Sequence, residues 1–179
     1  IIPFTFVDHS HAAAVVTISN SPGGQERIRN IYGPNMLIVP YVMPGFILAK
    51  AIYEQTKDLD WSALDGMILM NHGVFTFDND ARASYEKMIA IVDQAERYLA
   101  EHGAHELPDG QPKPVSSLYL AKTRQALNQL WGQPVLARLD NSPTAASYSQ
   151  LPNVATISNR GPLTPDHIIR TKRSPVVLG

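Results

Sequence analysis

No cysteine occurs among the 179 residues, so neither a disulfide framework nor thiolate chemistry is available, and the chain suits a reducing cytoplasm. An excess of charge of one sign is lacking too: 15 Lys+Arg face 16 Asp+Glu, a net charge of −1. That balance excludes a dedicated binder of nucleic acid or of anionic membranes. Charged residues make up 17% of the chain against 44% hydrophobic, which excludes wholesale disorder and long coiled coil. Long apolar runs are absent; stretches such as residues 67–70 fall far short of a membrane span. The opening Ile-Ile-Pro-Phe-Thr-Phe-Val-Asp has neither Met nor the basic segment of a secretory signal, and it reads as the interior of a longer chain. No Gly-x-Gly-x-x-Gly is found, so hydride transfer from a dinucleotide does not belong to this segment. Internal repeats and low-complexity tracts are also missing.

What remains is enough for one ordinary domain with a core of its own. Residues 4–7 read as a short strand that delivers Asp8 and His9. Residues 12–18 are expected to be helical, because Asn20-Ser21-Pro22-Gly23-Gly24 breaks the run. A short amphipathic helix over 25–32 stops at Gly33-Pro34, a strand covers 36–42, and Pro44-Gly45 turns the chain into a helix over 46–57. Apolar runs at 66–70 and 74–77 flank Asn71-His72-Gly73 and read as strand, kink, strand. A long helix over 79–102, capped by Asp78 or Asn79, is expected to bury Tyr85, Met88, Ile89, Val92 and Leu99. A Pro-rich stretch at 107–114 separates it from a helix over 116–130. Beyond Trp131 prolines become frequent, and residues 154–157 and 176–178 look like strands. Residues 160–179 carry Arg160, Arg170, Lys172 and Arg173 against Asp166 alone, as either a solvated extension or an arm that crosses the domain or a neighbouring subunit.

Six histidines are present, and three stand out. His9 and His11 form a His-x-His pair at a strand end, where residues i and i+2 face the same side roughly 7 Å apart. His72 lies between two apolar runs, where a buried imidazole needs partners. Gly73 beside it removes a Cβ, so backbone or ligand can come close. Three histidines from two strand ends make the open three-ligand site typical of a catalytic divalent metal. His102 and His105 suit the C-terminus of a helix and read as surface residues. The role of His167 is open.

Val7-Asp8-His9-Ser10-His11-Ala12, Val39-Pro40-Tyr41-Val42-Met43-Pro44-Gly45 and Met70-Asn71-His72-Gly73-Val74-Phe75 resemble, in order and spacing, the class II aldolase/adducin family. The resemblance implies an α/β, layered domain with a central, mostly antiparallel sheet flanked by helices. Residues 1–135 would form its core, and 136–179 a C-terminal extension packing on the core or on a neighbouring subunit. It further implies His9, His11 and His72 as ligands of a divalent metal such as zinc, Tyr41 as a catalytic proton donor, and Asn71 and His167 as substrate contacts. The implied reaction is lyase cleavage of a sugar 1-phosphate, such as rhamnulose or fuculose 1-phosphate, to dihydroxyacetone phosphate and an aldehyde. A homo-oligomer, most simply a cyclic tetramer, is the expected assembly.

The tail from Arg160 to Lys172 resembles the aldolase half of bacterial aldolase–short-chain-dehydrogenase fusions, which implies a dehydrogenase domain beyond Gly179. The family's catalytic Glu and phosphate-holding Gly/Ser/Thr-rich loop lie upstream of the His-x-His pair and do not occur in the eight residues before His9. On these residues alone, aldol cleavage is expected to be crippled. Two other readings share the fold: a metal-dependent epimerase or decarboxylase, and an adducin-like interaction module that has lost the metal site. Retention of all three histidines favours an enzyme.

Overall fold

The computed structural model describes residues 1–104, 107 and 110–177. Four strands, β1 (Phe6–Ser10), β2 (Met36–Val39), β3 (Gly66–Leu69) and β4 (Gly73–Asp78), form one sheet in the order β1-β4-β3-β2. β4 runs antiparallel to both β1 and β3, whereas β2 and β3 are parallel. A parallel pair needs a crossover, and here it contains helix α3 (Phe46–Thr56). Helices α1 (Ala13–Ser19) and α2 (Gly24–Tyr32) join β1 to β2, and α4 (Ala81–Glu101) follows β4. The sheet is mixed and mostly antiparallel with helices on its faces, as expected for the α/β class.

The period-two alternation of the strands sorts the core into two layers. Met36, Ile68 and Val74 pack with Val15 and Ile18 of α1, Ile28 of α2, and Met88 and Ile91 of α4. Val39, Met67, Leu69 and Phe77 turn the other way, toward Leu48 and Ile52 of α3. Ile68 and Met67 are adjacent in sequence and essentially without exposure, yet they serve opposite layers.

Two compact units divide the chain: residues 1–105 with 160–179, and residues 106–159. The second holds α5 (Ser117–Trp131), α6 (Pro143–Ser149) and α7 (Val154–Ser158). Within it, the Gly110 N–H donates to Ser147 Oγ at 2.9 Å and Gln150 Nε2 donates to the Gln111 carbonyl at 2.8 Å. The first unit also holds α8 (Pro165–Arg170), near the end of the chain. Among the described residues no helix is long and apolar enough to cross a membrane.

Four expectations are corrected. Val154–Ser158 is a short helix rather than a strand, with Ile157 N–H bonded to the Asn153 carbonyl at 3.0 Å. A β-branched run with no strand beside it satisfies its backbone locally. Val176 and Val177 join no ladder, and residue 178 lies outside the described residues. The face of α4 is also rotated from the expected one. Ser84, Met88, Ile91, Ala95 and Leu99 are buried, Val92 is half-buried, and Tyr85 and Ile89 are 59% and 51% exposed. Each exposed residue directly follows a buried one and so stands about 100° further round the helix axis. The cap is Asp80, whose carboxylate accepts from the Ala83 N–H at 2.8 Å, rather than Asp78 or Asn79.

This face makes a stability prediction. Ile91→Ala is expected to destabilise by about 2–5 kcal/mol, as buried large-to-small changes do. Ile89→Ala should stay within about 0.5 kcal/mol, as exposed changes do. Urea unfolding of the two variants decides the phase of the helix.

Candidate metal centre

β1 and β4 align His9 with Phe75 and Ser10 with Val74. The His9 ring stacks on Phe75 at 4.0 Å, and its Nδ1–H donates to the Val74 carbonyl at 3.0 Å. His11 follows one residue after the strand ends and precedes α1. Because i and i+2 share a side, His9 and His11 come together without any long-range contact.

His72 reaches the same place by a turn. Residues 70–72 link β3 to β4 as a hairpin, with Leu69 paired to Gly73, so the expected kink inside one strand is a reversal of the chain. The Leu69 carbonyl accepts from the His72 N–H at 3.2 Å. Asn71 occupies the left-handed region at φ 60°, which Asn tolerates better than most residues. Its N–H donates to Ser19 Oγ at 3.2 Å, and its side-chain amide donates to Asn20 Oδ1, tying the turn to the end of α1. Next comes Gly73. A Cβ there would overlap the Ser10 carbonyl oxygen and stand 3.1 Å from the His9 ring and 3.2 Å from that of His11. Only glycine lets the turn lie this close to β1.

The three rings meet at centroid separations of 4.8, 5.3 and 5.0 Å, and one ring nitrogen from each lies within 4.8 Å of the others. A tetrahedral ion with bonds of about 2.0–2.1 Å needs nitrogens about 3.4 Å apart, so modest closure of the rings completes the site. Two further observations fit a cation. His72 Nδ1 is buried with no hydrogen-bond partner among the described residues, the kind of orphan that an ion or water resolves. The Nδ1 atoms of His9 and His11 are both engaged, which leaves Nε2 of each as the free lone pair. Partial desolvation holds His9 below the ordinary imidazole value of 6.5, with the Val74 hydrogen bond opposing it. Desolvation also lowers His72, helped by the positive charge that His9 and His11 would carry when protonated. Neutral imidazoles are the form that binds metal.

The other sequence-derived positions divide. Tyr41, 56% exposed between β2 and α3, lines an open groove of about 350 Å³ together with Asn71, His72, Thr164 and Ile168. His167 is not among its lining residues; its Nδ1 is hydrogen-bonded to Thr164 Oγ1 at 2.7 Å in the first turn of α8. His102 lies at the exposed end of α4, stacked on Tyr98, with Nδ1–H donating to the Tyr98 carbonyl at 2.7 Å. His105 lies outside the described residues. Sequence reasoning missed Asp166. The His11 Nδ1–H donates to its Oδ2 at 2.8 Å, and that bond holds the carboxyl below its usual range. Thr164-Pro165-Asp166 carries the signal of a helix start, with Pro in the first turn and an acid beside it. Nothing in it points to a histidine 155 positions away.

Two outcomes follow from this geometry. Gly73→Ala should cost about 1–3 kcal/mol by overpacking, measured by urea titration, because β1 must move away from the turn. The second concerns pH. His9 and His72 stay neutral in the folded chain where the unfolded chain protonates them. The chelator-treated protein therefore keeps this contribution above pH 6.5 and loses it as the pH falls, the unfolded state binding more protons. Its melting temperature should drop between about pH 7 and 5, and drop less in His72→Ala, by scanning calorimetry.

Known proteins bear on the arrangement. The "Class II Aldolase and Adducin N-terminal domain" family matches residues 3–99, and "Aldolase class II, second domain" matches residues 115–179. The uncharacterized oxidoreductase YuxG of Bacillus subtilis (strain 168) is 27% identical over 187 residues, which cover 99% of this chain. The chain spans only 27% of that relative's length. The N-terminal class II aldolase domain of a conserved protein from Thermoplasma acidophilum is 37% identical, with a TM-score of 0.48 over 54% of this chain and 43% of its own. An aldolase II superfamily protein from Pseudomonas syringae is 18% identical, with a TM-score of 0.42 over 70% of this chain and 52% of its own. With its N-terminal family match spanning more than half of the residues, this chain belongs to the class II aldolase/adducin family.

Proposed function

We propose that the chain is the metal-binding part of a class II aldehyde-lyase that cleaves a sugar 1-phosphate, such as rhamnulose or fuculose 1-phosphate, to dihydroxyacetone phosphate and an aldehyde, with zinc as the ion. The observation that carries this reading is the convergence of His9, His11 and His72, with one nitrogen of each within 4.8 Å of the others. Three neutral ligands leave a divalent ion its full charge. When bound, such an ion supplies Lewis-acid stabilisation of the oxygen charge that builds as the carbon–carbon bond breaks.

The chain's own residues do the rest. The groove beside His72 binds the sugar, and Asn71, held by Ser19 and Asn20, presents its turn to it. Tyr41 lines the same groove, and its hydroxyl gives a proton to the aldehyde-derived oxygen in the condensation direction. Two wider features belong to the same reading. A dehydrogenase domain after residue 179 agrees with the name and greater length of the Bacillus relative. A homo-oligomer agrees with the exposed apolar start of α3, where Phe46 is 83% and Ile47 69% exposed.

The test uses the complete gene product, stripped of metal and reloaded with zinc. Release of dihydroxyacetone phosphate from rhamnulose or fuculose 1-phosphate is expected. His72→Ala should weaken zinc binding at least tenfold and cut cleavage by about 10²–10³, while His102→Ala leaves both unchanged. Zinc binding without cleavage of any sugar 1-phosphate would reject the lyase. Equal zinc binding by the two variants would reject the metal site.

A further inference from the structure

His9 and His11 hold their Nδ1 protons in different ways. His9 gives its proton to a backbone carbonyl of the neighbouring strand, which no substitution removes. His11 gives its proton to the Asp166 carboxylate, at 2.8 Å, from the first turn of α8. We propose that Asp166 is the positioning carboxylate of the metal centre, fixing the tautomer and ring orientation of His11 from the far end of the chain. This inference rests on the metal reading above and adds a residue to it.

The tautomer of His11 decides which of its nitrogens can bind an ion. A neutral imidazole carries one proton, and only the nitrogen without it can bind a cation. Left alone, His11 would divide its population between a form with Nε2 free and a form with Nε2 blocked. A carboxylate accepts hydrogen bonds and cannot donate one, so at Nδ1 it selects the form with Nε2 free. It also makes a charge-assisted bond that holds the ring plane and raises the basicity of the ligating nitrogen. Asp166 itself is half-exposed, with a side-chain accessibility of 52%, and His11 is 24% accessible, so the pair sits at the rim of the site.

The same contact joins the tail to the core of its unit. The Asn20 amide donates to the Leu163 carbonyl at 3.3 Å, three residues before Asp166. Thr164 and Ile168 flank Asp166 and line the groove beside His72. Docking of residues 162–168 and occupation of the metal site therefore favour each other through one hydrogen bond, and each must strengthen the other equally.

Cobalt(II) titration of the metal-stripped complete gene product, read by visible absorption, tests the assignment with no turnover involved. Asp166→Ala is expected to bind about 10–100-fold more weakly, with an altered absorption band, while its chelated form melts within about 2 °C of wild type. Asp166→Asn keeps the shape but can present an amide N–H to Nδ1 and hold the blocked tautomer, so it too should weaken binding, by about tenfold. His102→Ala, at the exposed end of α4, should bind as wild type does. Wild-type cobalt affinity in both Asp166 variants, with affinity lost in His72→Ala, would overturn the role of Asp166 and leave the metal site standing. Failure of the wild-type protein to bind cobalt or zinc would overturn the metal reading and this proposal together.

Discussion

Gly73 carries only a hydrogen where any other residue would push against the Ser10 carbonyl, and this lets the hairpin turn rest on the backbone of β1. The histidine cluster depends on that approach. His9 and His11 are placed by a strand and its immediate exit, and His72 by the last position of the turn. Were the turn to stand off by the width of a methyl group, His72 would leave the 4.8 Å circle that the three nitrogens now share. The left-handed Asn71, bonded through Ser19 and Asn20 to the end of α1, holds the turn in that position from the other side.

The strand that carries His9 and leads directly into His11 is an edge strand. Its outer side has no ladder partner among the described residues, which removes some of the rigidity that a central strand enjoys. Other contacts restore it. Asp8, on the face opposite His9, accepts from buried Ser84 Oγ at 2.6 Å, and Ser84 in turn offers its carbonyl to Thr76 Oγ1 at 2.9 Å. Lys87 binds the Phe77 carbonyl and the Asp78 carboxylate, so α4 is tied to both edge strand and neighbour. His9 meanwhile lies flat on Phe75. One face of β1 is bolted to a helix and the other carries the chemistry.

Charge reinforces this arrangement. Two of the histidines are pushed toward the neutral form by desolvation, and the third is matched with a carboxylate held in its ionised form by that histidine. His9 and His72 are therefore poor stores of positive charge and good lone-pair donors. The carboxylate comes from the last helix of the chain, so this constellation draws on both ends of the compact unit of residues 1–105 and 160–179.

Local patterns in the sequence determined a good deal. Short apolar runs marked the strands, Gly33-Pro34 and Gly23-Gly24 marked where helices stop and start, and His-x-His at a strand end placed two side chains on one side, since i and i+2 share a face. Short-range rules were weaker where several residues fitted equally well. Asp78, Asn79 and Asp80 are all good caps, and more than one stripe of α4 is apolar; packing against the sheet and α1 buried Met88, Ile91 and Ala95 and left Tyr85 and Ile89 exposed. Val154–Ser158 had the composition of a strand and became a helix because no neighbouring strand offered it a ladder. Only the tertiary structure decided that the interruption at Asn71-His72 is a hairpin, that Gly73 faces Ser10, and that Asp166 meets His11. Those are pairings between residues far apart in the chain, set by sheet register and by the docking of the tail, and no periodicity along one segment encodes its partner in another.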